Sequence, residues 1–308
     1  MISVVLCTRN RANHLRRALE SIGKLSRPCG LAWEVVVVDN DSTDDTRGVS
    51  ELFLRESGIN VTYVFEGKRG TSHARNAGIR AAQGDVLAFV DDDIIVDPGW
   101  LVNIVSECIG DRSYSVLFGQ TRLMRADQAR IAIKEEPFDE VYVYPCNPAA
   151  PGASNNMVVR RSILERVVGF DTSLGPGTLL RGAEDTDFTY RVLRSGGKIK
   201  YCPRILVRHN HDRLTRKAVQ SLLLSYGRAR GGFYCKYVLR RDRWAAKLCY
   251  WEIECCLKRL LDQDRRRDTA IHLIGMATGF VLRLGLEVTA LVRRRPIGGG
   301  MDTAACCS

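Results

Sequence analysis

The chain has 308 residues, of which 45% are hydrophobic and 26% are charged, and it carries 46 Lys and Arg against 35 Asp and Glu. This composition excludes general disorder and is typical of a soluble globular protein with one large domain or a domain and a half. The 11 cysteines include no CxxC pair, so a zinc site of that spacing is excluded and free thiols in a reducing compartment are expected.

The charge is unevenly distributed along the chain. Residues 1–207 carry 26 basic and 26 acidic side chains, whereas residues 208–296 carry 20 basic and 8 acidic ones. A basic region of this kind is either a solvated surface or a surface for an anionic partner such as membrane lipid. Nucleic acid is not expected as a partner, because no recognised binding module is present.

The neutral part alternates between strand-like and helix-like segments. The run Ile2–Thr8 is short, apolar and β-branched, which is typical of a strand buried on both faces. Further strands are predicted at residues 34–40, 61–66 and 85–92. Helices are predicted between the strands, one with Ser42 as its N-cap and one closed by Gly84. This alternation predicts an α/β fold with a mostly parallel sheet and helices on both faces.

Polar residues follow the carboxyl ends of these strands, where an open parallel sheet binds its ligands. They are Thr8, Asp39, Asp41 and the triplet Asp91, Asp92 and Asp93 in "LAFVDDD". The turn after the first strand, "CTRNRAN", is neither GxGxxG nor GxxxxGK[ST], which excludes a dinucleotide fingerprint and a P-loop. A cluster of aspartates without His or Cys partners beside it in the sequence is a hard-oxygen site, which suits Mg²⁺ or Mn²⁺.

A second acidic group lies in "GAEDTDF", at the start of a helix that Gly196 and Gly197 end. It comprises Glu184, Asp185 and Asp187. Favourable interaction with the helix macrodipole would explain these acids without any catalytic role.

Five segments together resemble family 2 glycosyltransferases, the nucleotide-diphospho-sugar enzymes of the GT-A fold. In chain order they are "VVLCTRNRANHLRRALESI", "EVVVVDNDSTDDT", "GTSHARNAGIRAAQGDVLAFVDDD", "GASNNMVVRRSILERVVGFD" and "GAEDTDFTYRVLRSG". The resemblance covers residues 2–212 and implies a Rossmann-like GT-A domain there. Residues 213–296 are then a basic amphipathic helical region, and residues 297–308 a flexible tail.

The resemblance implies a binding site for a nucleoside-diphosphate-sugar, with a UDP-sugar as the expected donor. The residues that match the nucleotide-sugar site are Thr8, Arg9, Asp39, Asp41, Arg75, Asp91 and Asp92. Among them, Asp39 matches the carboxylate that binds the base, and Arg75 matches an arginine near the diphosphate.

The same resemblance implies a divalent metal, Mn²⁺ or Mg²⁺, and a catalytic base. Asp91 and Asp93 match the two acids of the DxD element, and Asp93 would hold the metal. His209 matches a histidine that contacts the metal in some relatives, although His211 leaves the register open. Asp185 matches the base, with Glu184 beside it on the acceptor side.

The resemblance implies a hexosyl-transferring enzyme with a lipid-linked, polysaccharide or other glycan acceptor, and the chemistry of these residues predicts that it inverts the anomeric carbon. One base and no identified nucleophile indicate a single displacement, because a retaining double displacement needs a second carboxylate. The alternatives are a nucleotidyltransferase, disfavoured by the lack of glycine in "CTRNRAN", and a non-catalytic sugar-nucleotide-binding protein.

Two segments complete the interpretation. Residues 124–151 have no clear period and carry Phe138, Tyr142 and Tyr144, so a variable connection near the acceptor is expected.

The last helix is interrupted by His272, Arg283 and Glu287 and is expected to be too short in its uncharged part to span a membrane. It is expected to lie on an anionic membrane surface at the inner face of the cell, to pack internally or to form a homo-oligomer.

Overall fold

The computed structural model describes residues 1–27, 30–130, 132–211 and 215–294. Its strands are β1 (Ile2–Thr8), β2 (Trp33–Asp39), β3 (Val61–Phe65), β4 (Val86–Asp91), β5 (Ile94–Val96), β6 (Tyr114–Leu123), β7 (Glu140–Tyr142), β8 (Asn156–Arg160) and β9 (Lys198–His209). Its α-helices are α1 (Ala12–Gly23), α2 (Thr46–Glu56), α3 (Thr71–Ala81), α4 (Trp100–Gly110), α5 (Glu184–Arg194), α6 (Arg216–Val238), α7 (Arg243–Leu260) and α8 (Arg266–Arg294).

One mixed sheet organises the first two thirds of the chain. Its strand order is β3-β2-β1-β4-β8-β6-β9-β5, and β7 pairs with β9. The half formed by β3, β2, β1 and β4 is parallel, whereas β8 joins β4 in the antiparallel direction. The predicted α/β fold is confirmed, and the four predicted strands lie within one residue of their predicted bounds.

Apolar cores cover both faces of the sheet, because successive residues of a strand point to opposite sides. On β1, Val4 and Leu6 pack into a core with α1 and α4, while Val5 packs into the core on the other face with α3 and α5. Continuous β-branched runs are therefore fully buried.

Two predicted helix boundaries were wrong. Helix α2 begins at Thr46, and its N-cap is Asp45 rather than Ser42. The Ser42 Oγ instead accepts a hydrogen bond from the Asn10 backbone, which ties the loops after β1 and β2 together. Helix α3 ends at Ala81, three residues before Gly84, whose backbone N–H donates to Ser3 Oγ.

The C-terminal helices pack against one another and against α5. Gly227 on α6 lies against Gly275 and the carbonyl of His272 on α8, and Gly279 on α8 lies against the carbonyl of Arg228. A third core joins Tyr190 of α5 to residues of α6, α7 and α8. Internal packing, one of the predicted alternatives for this region, is therefore present.

Helix α8 is long and apolar enough over residues 266–290 to cross a membrane, by length and composition alone. The longest stretch of α8 without a charged residue or a histidine is residues 273–282, so the expectation that this stretch is too short to span a membrane stays a prediction. Arg283 and Glu287 of α8 form an ion pair one helical turn apart, since Arg283 Nη2 lies 2.6 Å from Glu287 Oε1. The predicted flexible tail, residues 297–308, lies outside the described residues.

Candidate active site

The carboxyl ends of β1 and β4 lie side by side because the two strands are parallel neighbours, with Cys7 opposite Asp91. Thr8 ends β1 and is buried, and its Oγ1 donates to Asp92 Oδ2 over 2.8 Å. The sequence predicted that these strand ends lie at one edge of the sheet, and they do. The Cys7 thiol is buried there and its pKa is raised to about 12 by desolvation, so it stays protonated.

Arg11 explains how adjacent aspartates are tolerated near the core. Its Nη1 lies 2.6 Å from Asp92 Oδ1 and 3.0 Å from Asp93 Oδ2. Burial raises the pKa of Asp92 to about 6, against the opposing charge of Arg11. Burial would also raise the pKa of Asp93, but hydrogen bonding to His209 and the charges of His209 and Arg11 outweigh it and hold that pKa well below its usual range.

Strand pairing brings His209 to Asp93. The short strand β5 starts directly after Asp93 and pairs with β9, so Ile94 faces His209. His209 Nε2 lies 3.3 Å from Asp93 Oδ1, and its buried Nδ1 has no hydrogen-bond partner among the described residues. His211 instead places its Nε2 3.0 Å from the carbonyl oxygen of Ala129. The histidine beside the acidic triplet is thus His209.

The residues predicted to hold a metal fit a divalent cation in their chemistry. Asp91, Asp93 and His209 line the same cavity, and carboxylate oxygens with one imidazole suit Mn²⁺ or Mg²⁺. The buried Nδ1 of His209 has no hydrogen-bond partner among the described residues, and a buried nitrogen of this kind calls for a partner such as a ligand.

In the described part of the chain, the three potential ligand atoms that come within 4.8 Å of one another belong to Glu107, Asp139 and Cys202, and not to Asp91, Asp93 and His209. The Nζ of Lys200 lies 2.8 Å from Glu107 and 2.7 Å from Asp139. An ammonium group already neutralises these acids, so this group is an ion cluster that ties α4 to β9.

Arg75 on α3 joins the acidic triplet to the acids of α5. Its Nη2 donates to Asp91 Oδ1 over 3.0 Å, and its Nη1 donates to Glu184 Oε1 over 2.7 Å. The guanidinium is buried and lies 5.4 Å from the ring centroid of Phe170. Burial and the charge of Asp185 raise the pKa of Glu184, and Arg75 opposes this shift.

Asp185 has a different environment from its two neighbouring acids. Its Oδ2 accepts from the Ser154 backbone over 3.3 Å and its Oδ1 from the Thr186 backbone over 2.6 Å, while the side chain remains partly exposed. Asp187 is completely buried and accepts hydrogen bonds from Lys236, Tyr237 and Arg191. Asp185 is therefore accessible to a substrate, and Asp187 is not.

Most of the predicted site residues line one cavity of about 400 Å³. Its wall includes the predicted residues Thr8, Arg9, Arg75, Asp91, Asp92, Asp93, Glu184, Asp185 and His209. Asp39 and Asp41 are not part of its described wall. Asp39 is buried and accepts hydrogen bonds from Tyr63 and the Ser42 backbone, and Asp41 accepts from Arg69. Their proposed contact with a nucleotide base stays a prediction.

Comparison with known proteins identifies the family. The family model described as glycosyl transferase family 2 matches residues 3–167. The chain belongs to glycosyl transferase family 2. The match includes the acidic triplet and ends before α5, so Asp185 lies outside it.

Curated relatives of this family 2 chain include bacterial proteins. It is 28% identical over 233 residues to the pre-mycofactocin glycosyltransferase of Mycobacterium tuberculosis, covering 70% of this chain and 45% of that protein. It is 28% identical over 215 residues to the succinoglycan biosynthesis protein ExoM of Rhizobium meliloti, covering 67% of this chain and 65% of that protein. The chain spans about half the length of the first of these relatives.

Solved structures share the GT-A fold of this family 2 chain. The mannosyltransferase PcManGT from Pyrobaculum calidifontis, in complex with GDP-Man and Mn²⁺, matches with a TM-score of 0.64 and 18% identity over 92% of this chain and 86% of its own. S. aureus TarS 1-349 in complex with UDP-GlcNAc matches with a TM-score of 0.56 and 19% identity over 73% of this chain and 66% of its own. At this identity the likeness shows the fold alone.

Several cavity residues of this family 2 chain were not among the sequence predictions, and Arg11 and Tyr226 are two of them. Arg11 follows Thr8 by three residues in "CTRNRAN", and the position of two arginines after a strand end was the only sequence signal for it. Tyr226 on α6 lines the same cavity, and it comes from the helical region that the sequence assigned to a separate unit.

Proposed function

We propose that the protein is a metal-dependent inverting glycosyltransferase that moves a sugar from a nucleoside-diphosphate donor to an acceptor hydroxyl. The observation that carries this proposal is the single cavity that contains both the acidic triplet Asp91–Asp93 and the accessible carboxylate of Asp185. Binding of a diphosphate and activation of a hydroxyl can therefore occur within one substrate-sized space.

The acidic triplet is proposed as the diphosphate end of the site. Asp91, Asp93 and His209 would hold Mn²⁺ or Mg²⁺, which would supply positive charge to stabilise the departing diphosphate. Arg11 and Arg75 add two fixed cations, and both are already positioned by the same carboxylates. Such preorganised charge favours a leaving group that becomes more anionic in the transition state.

Asp185 is proposed as the general base. Backbone N–H groups of Ser154 and Thr186 orient its carboxylate, which can then accept the proton of an acceptor hydroxyl. Glu184 is held by Arg75 and is better suited to positioning that guanidinium than to attacking a sugar. One available base without an available carboxylate nucleophile among the described cavity residues supports single displacement with inversion.

The donor is proposed to be a nucleoside-diphosphate-sugar, with a UDP-sugar as the first choice. Support comes from the complexes of the structural neighbours, which contain UDP-GlcNAc in TarS and GDP-Man with Mn²⁺ in PcManGT. The acceptor is proposed to be a glycan, either lipid-linked or part of a polysaccharide.

The protein is further proposed to act at the inner face of the cell membrane. Helices α7 and α8 leave apolar side chains exposed, among them Trp251, Leu257, Ile274, Val281 and Val288. On α8, Ile274, Val281 and Val288 recur every seven residues and so share one face. The surplus of basic residues after position 207 would attract anionic lipid.

The direct test supplies purified protein with Mn²⁺ and a panel of UDP- and GDP-sugars, with and without glycoside acceptors. Release of nucleoside diphosphate that rises when an acceptor is added, together with a product of inverted anomeric configuration, is expected. A protein that binds the nucleotide but never releases diphosphate would instead be a sugar-nucleotide-binding protein. Release of pyrophosphate from a sugar phosphate and a nucleoside triphosphate would indicate a nucleotidyltransferase.

A further inference from the structure

A second cavity of about 460 Å³ adjoins the first one on the side of the C-terminal helices. The two cavities share Asp185, Ala153 and Tyr226 in their walls, but the acidic triplet belongs only to the first. Asp185 therefore lies on the boundary between a space that contains the acidic triplet and a space that does not. A base in single displacement needs this position, because the hydroxyl that it activates approaches opposite the diphosphate.

Arg230 of α6 and His272 of α8 form the helical wall of this second cavity. Both are oriented by Glu252 of α7, whose Oε2 accepts from Arg230 Nε over 2.9 Å and whose Oε1 lies 3.0 Å from His272 Nε2. Burial would raise the pKa of Glu252, but the hydrogen bond to His272 and the charge of Arg230 lower it to about 2, so this acid is ionised. Arg230 and His272 of the wall are thus held in place by one carboxylate from a third helix.

One donor of this wall lacks a partner. Arg230 directs Nη2 to Glu252 and to the hydroxyl of Tyr234, whereas its buried Nη1 makes no hydrogen bond within the described part of the chain. An unpaired buried donor is costly, and it is satisfied when a ligand supplies an oxygen.

The charges around the cavity favour a neutral ligand. Arg230 is already paired with Glu252, and Lys134 is paired with Glu136 and Glu140. With Asp185 added, carboxylates outnumber these two cations, so an anionic acceptor would be repelled. Small apolar side chains, among them Ala149, Ala150 and Ala229, complete the wall. Apolar faces with a few fixed polar groups suit a sugar, which presents both C–H faces and hydroxyls.

We propose that this second cavity is the acceptor site, that it takes a neutral sugar, and that Arg230 Nη1 donates a hydrogen bond to an acceptor oxygen. This inference rests on the proposed glycosyltransferase function and adds the acceptor class and the residue that positions it. The C-terminal helices then form part of the acceptor site, because Arg230 and His272 both lie on them.

The test uses the full chain loaded with Mn²⁺ and whichever of UDP or GDP it binds. Binding of p-nitrophenyl glucoside, galactoside and mannoside is measured by saturation-transfer NMR and titration, with p-nitrophenyl glucuronide and glucose 1-phosphate as anionic probes. We expect a neutral glycoside to bind and the anionic probes to bind more weakly. Arg230→Gln should weaken neutral-glycoside binding roughly 10-fold or more, since a charge-assisted hydrogen bond is lost.

A matched control removes the same charge from an exposed position of the same helix, with Arg216→Gln expected to leave acceptor binding unchanged. A second variant guards against misfolding of Arg230→Gln. Ala149 is exposed on a loop and lines the cavity, so Ala149→Trp should fill the space and weaken acceptor binding without disturbing a core. In turnover, both cavity variants should raise the acceptor KM and leave the donor KM unchanged.

The inference is overturned if Arg230→Gln and Ala149→Trp both keep acceptor affinity within about two-fold, if the anionic probes bind better, or if no neutral glycoside binds the wild type. In each of these cases the wild type can still release diphosphate from its donor. Failure of the proposed function looks different, because the wild type would then neither bind a nucleoside diphosphate nor turn over any nucleotide-sugar.

Discussion

Adjacent acids in "GAEDTDF" have three different environments, and this difference decides which one can act as a base. Glu184 is paired with Arg75, Asp187 is completely buried against Lys236, and Asp185 faces the cavity. Their spacing along a helix start suggested a common role in helix capping or dipole pairing. The structure separates them, because residues one and two positions apart point to different sides of a helix.

Replacement of Asp185 by Asn tests the role of the base. The amide keeps the size of the side chain and one oxygen that can accept from the Ser154 or Thr186 backbone, so nucleotide affinity should be close to native. Transfer to the acceptor should fall by about 10²–10⁴, the usual contribution of a general base. Rates from diphosphate release and nucleotide affinity from calorimetry provide the two measurements.

The control is Asp127→Asn, since Asp127 is exposed and pairs only locally with Arg125. It should leave both quantities unchanged. If Asp185→Asn retains more than about a tenth of the wild-type rate, below the catalytic range expected for a base, proton removal occurs at another group.

Replacement of Asp93 by Asn tests whether this residue is a metal ligand. An Asn at this position is a poorer ligand for a hard cation, so Asp93→Asn should weaken the Mn²⁺-dependent part of nucleotide binding. The matched control is Asp97→Asn, four residues further on and outside the described cavity wall. Calorimetry with and without Mn²⁺ measures the effect, and an identical metal dependence in wild type and Asp93→Asn would exclude Asp93 as a ligand.

At the scale of elements, the crossing of α6 and α8 depends on glycine. A Cβ built on Gly279 would lie 1.9 Å from the carbonyl oxygen of Arg228, and one on Gly231 would lie 1.9 Å from that of Met276. Both helices carry glycines four residues apart, at Gly227 and Gly231 on α6 and at Gly275 and Gly279 on α8. This pattern permits close backbone contact, and it brings His272 of α8 to the same cavity wall as Arg230 of α6.

Two glycine substitutions on α8 form a matched pair. Gly285→Ala should stabilise the protein by up to about 1 kcal/mol, because Gly285 has open space around it and Ala favours a helix. Gly279→Ala should destabilise it by about 1–3 kcal/mol through overpacking against the α6 backbone. Urea unfolding measures both, and a stabilising Gly279→Ala would mean that the two helices are further apart than described.

The contact between His209 and Asp93 depends on pairing between strands that are distant in the sequence. His209 and Asp93 are 116 positions apart, as their numbers show, and they meet because β5 pairs with the end of β9. The sequence alone left His209 and His211 as alternatives, since either could follow a strand end. The hydrogen-bond register of an edge strand was needed to select His209.

At the scale of the whole molecule, helix α5, which carries Asp185, is tied to the basic helices by a buried polar network. Asp187 of α5 binds Lys236 and Tyr237 of α6, and Tyr190 of α5 binds Asp242 at the start of α7. The boundary predicted at residues 212 and 213 therefore crosses a region of extensive contact. We expect the two parts to unfold together.

We predict that the exposed surface of the C-terminal helices associates with membranes. The protein should co-sediment with vesicles that contain phosphatidylglycerol and should be released by salt, because exposed charges are screened. Replacing Ile274 and Val281, both exposed on one face of α8, by Asp should reduce binding to these vesicles. Equal binding to phosphatidylcholine vesicles, or no binding to either, would favour internal packing or a homo-oligomer as the role of this face.

The sequence by itself determined the alternation of strands and helices, the acidic edge of the sheet and the family resemblance. These are local features: a β-branched run buries itself in a sheet, and the carboxyl ends of parallel strands must lie at one edge. The strand Ile2–Thr8 was predicted with its observed bounds for this reason. The predicted helix ends at Ser42 and Gly84 were wrong, because contacts to Asn10 and Ser3 outweighed local capping preferences.

Only the tertiary structure determined which acidic side chain pairs with which basic side chain. Arg11 with Asp92 and Asp93, Arg75 with Asp91 and Glu184, and Arg230 with Glu252 each join different elements. Periodicity reports which face of an element is buried, but an ion pair depends on which elements become neighbours and in what register. The second cavity, formed where α6 and α8 reach Asp185, follows from that assembly and leaves no local pattern in the sequence.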